Sequence, residues 1–165
     1  MTRIVVADAG PLIGMARIGQ LSLLQNIYGS IIIPPKVFEE LKIPSDKPGA
    51  SAVSEAIKAG WIKIVELKRP SDSIILRLLV DAGEAESIQL AFEQNAHLLI
   101  IDDRKGRKIA KSRNIRIIGT GGILISAKEA GLLVKVSPVL NELADVGYRL
   151  SPGLCKRIIE LANES

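Results

Sequence analysis

Apolar positions along this chain follow two rhythms that alternate almost from end to end. Short uninterrupted runs, such as Ile4-Val5-Val6-Ala7, Ile31-Ile32-Ile33 and Leu98-Leu99-Ile100-Ile101, have the length and β-branched content of strands buried on both faces. Between them apolar residues recur every three to four positions, the spacing of a helix with one buried stripe. The pattern predicts strands over 3–7, 31–33, 98–102 and 116–118, with an edge strand or short excursion over 61–67. It predicts helices near 11–18, 21–28, 36–42, 49–59, 71–80, 84–94, 104–113, 121–129, 138–146 and 152–163. Pro34-Pro35 stops the second strand and suits the first turn of the next helix, and Ile43–Pro48, with two prolines, reads as a loop. Such alternation predicts an α/β fold, a central mainly parallel sheet with helices on both faces. One domain is expected over 1–165, with a C-terminal helical extension from about 137 to 165.

Placed on these elements, four carboxylates fall where an open parallel sheet collects its active site, outside the carboxyl ends of the strands. Asp8 and Asp102 each close a strand, and Glu40 and Glu84 each lie in an early turn of a helix. At about 100° per residue, Val37, Phe38 and Leu41 form the expected buried stripe of one helix, with Glu40 on its flank and Glu39 nearly opposite. In the later helix the stripe is Ala85, Ile88, Ala91 and Phe92, with Glu84 near its centre and Glu86 facing water. A carboxylate aimed at a core needs a partner, and a divalent cation supplies one. Each acid also has a purely structural reading. Asp8 and Asp103 stand where helix N-caps stand, and Asp81 and Glu84 have the spacing of a capping box.

Composition narrows the chemistry. His97 and Cys155 each occur once, so zinc has no ligand cluster and an intramolecular disulfide has no second cysteine. No apolar run reaches the roughly 18 residues of a membrane span, and the N-terminus lacks a signal-peptide pattern, so a cytoplasmic protein without membrane contact is expected. A net charge of +4 favours a polyanionic partner, while 3% aromatic residues leave little for base stacking. Cations gather after Asp103, at Arg104, Lys105, Arg107, Lys108, Lys111, Arg113 and Arg116. Arg104 and Arg107, nearest the acids, are the candidate phosphate contacts, and the alternative is a solvated helix face. Gly119-Thr120-Gly121-Gly122 has neither phosphate-loop nor dinucleotide spacing and reads as a tight turn, with Thr120 a candidate contact for a metal-bound water or phosphate.

Taken in order, these pieces resemble the PIN-domain ribonucleases, which include the VapC-like toxins. The resemblance rests on Val6-Ala7-Asp8-Ala9-Gly10-Pro11-Leu12-Ile13, Val37-Phe38-Glu39-Glu40-Leu41, Gly83-Glu84-Ala85-Glu86-Ser87-Ile88 and Leu98-Leu99-Ile100-Ile101-Asp102-Asp103. Gly119-Thr120-Gly121-Gly122-Ile123-Leu124, with Ala127-Lys128, resembles the tail of one subgroup. It implies a three-layer α/β/α sandwich and catalytic, metal-binding acids at Asp8, Glu40, Glu84 and Asp102, with Asp103 a rival or additional ligand. The third acid is usually Asp and here is Glu84; Thr or Ser often precedes the fourth, where this chain has Ile100 and Ile101. The resemblance further implies Mg²⁺ or Mn²⁺ as cofactor, RNA as substrate, a homodimer, and a small antitoxin protein if the chain is a toxin. Two other readings share the same residues: a weakly active or inactive nucleic-acid-binding module, and a different Mg²⁺-dependent phosphoesterase.

Overall fold

The computed structural model describes residues 3–42 and 44–164. Ile43, the first residue of the expected loop, lies outside them, as do Met1, Thr2 and Ser165. The elements run β1 (Val5–Ala7), α1 (Ala9–Arg17), α2 (Ser22–Tyr28), β2 (Ile31–Ile33), α3 (Pro35–Glu40), α4 (Ala52–Ala59) and β3 (Ile62–Ile64). They continue α5 (Asp72–Leu76), α6 (Ala82–Glu93), β4 (Leu98–Ile100), α7 (Arg104–Ser112), β5 (Ile117–Ile118), α8 (Thr120–Glu129), α9 (Ser137–Asp145) and α10 (Pro152–Leu161). The five strands form one sheet in the order β3-β2-β1-β4-β5, every pair parallel. Val6 sits opposite both Ile32 and Leu99, so β1 is the centre of the sheet.

Because side chains alternate across a strand, neighbouring residues feed separate cores. Val5, Ala7, Ile31, Ile33 and Ile100 pack with α1, α2, α4 and α8–α10. Val6, Leu99 and Ile101 face the other way, against Leu76, Ala85, Ile88 and Ala110. These two cores with the sheet between them make the three-layer α/β/α sandwich. Among the described residues no helix is long and apolar enough to cross a membrane.

Several sequence expectations shift by a turn or less, and three differ for a physical reason. The helix expected over 71–80 ends at Leu76, because Arg77, Leu78 and Leu79 close tighter bonds to the third residue back before Asp81 starts α6. The strand expected over 98–102 ends its ladder at Ile100; the Ile101 N–H still reaches the Ile118 carbonyl, and the chain then turns into α7. Phe38 and Phe92, assigned to buried stripes, are 46% and 57% exposed. Helix α6 lies between the sheet, α3, α5 and α7, so burial there follows its neighbours more than its apolar face. The loop after α3 is pinned by Gly49 at φ +84°, where a Cβ would overlap the Ala16 carbonyl of α1.

Candidate acidic active site

In this strand order the chain reverses direction of travel between β1 and β4, which makes their carboxyl ends the switch point of the sheet. Asp8 leaves β1 there, its N–H donating to the Ile100 carbonyl at 2.9 Å. Its carboxyl group is 8% exposed and makes no cap hydrogen bond to α1, so the capping reading does not account for it. The Ser87 hydroxyl, 3.4 Å away, is its side-chain donor, and that hydroxyl also reaches the Gly83 carbonyl at 2.8 Å. Burial pushes the carboxyl up to about 7, with the charges of Asp81 and Glu40 adding to the rise and the Ala9 N–H opposing it.

Glu40, at the end of α3, is half-buried and raised first by burial and then by the charge of Asp81. Its carboxylate rests against Gly83, where a Cβ would overlap it. Glu84 is raised to about 9, by burial and then by hydrogen bonding to and repulsion from Asp81 and Asp103. Both of these neighbours are helix caps: Asp81 accepts the Glu84 N–H at 2.8 Å, and Asp103 accepts the Gly106 N–H at 2.8 Å. Sequence reasoning treated Asp81 only as a cap, yet its charge acts on Asp8, Glu40 and Glu84 together. Glu86 was expected to face water. Instead its carboxylate accepts the Lys36 N–H at the start of α3 and pairs with Arg77 at 3.2 Å, joining α6 to two neighbours.

Asp102 differs from all of these. It accepts the Thr120 N–H at 2.7 Å, the Thr120 hydroxyl at 2.5 Å and the Tyr148 hydroxyl. Thr120 is fully buried at the start of α8 and spends both donors on Asp102, so it holds an acid in place. Arg107 reaches back to the Ile101 carbonyl at 2.9 Å, while Arg104 is exposed at the helix start.

Sequence reasoning missed Tyr148 altogether. Helix α9 ends with Gly147 at φ +86°, where the Gly147 N–H bonds the Ala144 carbonyl and the Tyr148 N–H the Leu143 carbonyl. This left-handed stop turns the chain back and lays the Tyr148 ring over Gly10 and Gly14 of α1, whose missing side chains leave it room. Arg17 of α1 fixes the same turn by donating to the Val146 carbonyl at 2.5 Å. Burial and the nearby Asp102 charge raise the phenol well above its ordinary range, so it stays a hydrogen-bond donor.

Six acids from four stretches of the chain thus gather at one end of the sheet, and three have raised pKa values with repulsion among the causes. A hard, oxygen-only donor set of that kind suits Mg²⁺ or Mn²⁺. Among the described residues, no three such side chains already stand in a ligand arrangement. The fit is therefore one of chemistry and position: Glu40 and Glu84 carry the flexible chains that would complete it.

Curated proteins yield no match. Among solved structures, the chain is similar to a PilT N-terminus domain protein from the hyperthermophilic archaeon Sulfolobus solfataricus P2. Identity is 20% over 76% of this chain and 94% of that one, with a TM-score of 0.46. The PIN-domain family model matches residues 4–164. This chain therefore belongs to the PIN-domain family, a nuclease fold that generally works with divalent metal ions.

Proposed function

We propose that the protein is a Mg²⁺- or Mn²⁺-dependent endoribonuclease that hydrolyses RNA phosphodiester bonds. The observation that carries this reading is the convergence of Asp8, Glu40, Glu84 and Asp102 on the switch point of the sheet, where burial, with repulsion from neighbouring acids adding to it, raises the first three. Those four acids, with Asp103, are the metal-holding set. A bound divalent ion supplies an activated water and neutralises charge growing on the phosphate. Asp102 is fixed in direction by its three donors, so it is the rigid ligand. Glu84, raised to about 9, holds a proton at neutral pH until a cation displaces it. Arg104 and Arg107 lie at the start of α7, where cations suit a phosphate of the bound strand. The same reading places the protein in the cytoplasm.

A toxin role, with a homodimer or a small antitoxin as partner, extends this reading. Its support is a set of exposed apolar side chains, Ile74, Ile75, Leu78 and Leu79, next to the acidic rim at Asp81.

Purified protein should cleave RNA with Mg²⁺ or Mn²⁺ and lose that activity in chelator. Gly83→Ala sharpens the test, because the new methyl displaces the end of a flexible side chain and no backbone. Cleavage should fall at least about tenfold while urea stability changes by less than about 1 kcal/mol. Metal-independent cleavage, or full activity in Gly83→Ala, contradicts the assignment.

A further inference from the structure

An open groove of about 870 Å³ runs outward from Asp102 and Asp103. One wall is the face of α7 carrying Arg104, Arg107, Lys108 and Lys111. The opposite wall is the turn between α9 and α10 with the first residues of α10, Tyr148–Leu154. From this structure we infer that the second wall is part of the substrate site, with Arg149 as a phosphate contact facing α7. The inference rests on the nuclease reading and adds to it a second binding surface and a binding residue.

Charge and shape support it. Five cations line the groove, and among the described residues none of them is in a salt bridge. Arg149 is exposed and makes no side-chain hydrogen bond among the described residues, so folding has not used its charge. A polyanion drawn between the two walls is led directly to the acids. A single strand can lie there with its phosphates between α7 and Arg149. Leu150 and Leu154 give the second wall an apolar part for base or sugar faces, with Leu154 46% exposed. Among the described residues Tyr148 is the one aromatic side chain in the groove, and its hydroxyl is committed to Asp102, so affinity rests on phosphates more than on stacking.

The test is binding of a labelled single-stranded RNA in Mg²⁺ on an Asp8→Asn background that prevents cleavage. Adding Arg149→Ala should weaken single-strand binding about threefold to tenfold and lower the salt slope by about 0.7, the value for one phosphate contact. Adding Lys63→Ala, an equal charge change on the far edge strand β3, should leave both unchanged. If Arg149→Ala matches its parent, the second wall is not part of the site although the nuclease reading stands. If the parent binds no polynucleotide, both fall.

Discussion

Replacing Asp8 with Asn should abolish cleavage and, in the absence of divalent ions, make the protein more stable. The two effects share one cause. The Asp8 carboxyl is raised from 3.8 to about 7 in the folded chain, so the folded state binds its proton more tightly than the unfolded state does. A group of that kind stabilises most below its unfolded pKa, and the contribution is lost as pH rises from about 4 to about 7. Above that window the folded protein carries a buried, repelled charge that costs on the order of 4 kcal/mol, at 1.36 kcal/mol per unit. Asp8→Asn removes the cost while keeping the side chain's shape. The Ser87 hydroxyl is not orphaned, because it retains the Gly83 carbonyl. Urea unfolding in chelator should therefore show the variant more stable at pH 8 and little changed at pH 4. Activity should drop roughly a thousand-fold, the several kcal/mol a positioned cation supplies. A variant less stable than wild type at pH 8 contradicts the account of Asp8.

Asp102→Ala should behave in the opposite way. Asp102 is the shared acceptor for the Thr120 N–H, the Thr120 hydroxyl and the Tyr148 hydroxyl. Thr120 is fully buried, and leaving buried donors without an acceptor costs about 1–3 kcal/mol each. The substitution should destabilise the protein by about 3 kcal/mol or more, and should loosen the turn that joins α9 to α10. Limited proteolysis near residues 147–151 reads that loosening directly, alongside the urea midpoint. Cleavage should also be lost, as in Asp8→Asn. Two acids of one site would then have opposite effects on stability, which separates a repelled ligand from a fixed one. Wild-type stability in Asp102→Ala contradicts the role of the hydroxyl cradle.

How much of this was legible beforehand depends on the range of the interaction. Asp8 and Asp102 close apolar runs, and a parallel sheet brings the ends of such runs together, so their meeting follows from local pattern and topology. Glu40 and Glu84 were separable from Glu39 and Glu86 by helical angle, and Glu39 does face water. The same angle misplaced Glu86, because the Lys36 N–H and Arg77 approach it from other elements. Phe38 and Phe92 failed for the same reason: an apolar residue at stripe spacing is buried only if a neighbour covers it. Tyr148 lies 46 residues beyond Asp102 and belongs to no motif. Its traces are Gly147 as a helix stop and the Gly10/Gly14 pair one turn apart, and neither points to an acid. Asp81 was read correctly as a cap and incompletely as a charge, since three of the carboxyl groups it repels come from elsewhere in the sequence or from its own helix.

Crowded, partly protonated carboxyl groups are, on this reading, the binding place of a divalent cation. Calorimetric titration of Mn²⁺ into the protein at neutral pH, repeated in buffers of different ionisation enthalpy, counts the protons released on binding. With Asp8 near 7 and Glu84 near 9, binding should release about one proton or more and tighten as pH rises through that range. Binding with no proton released, or no binding to the intact acids, contradicts it.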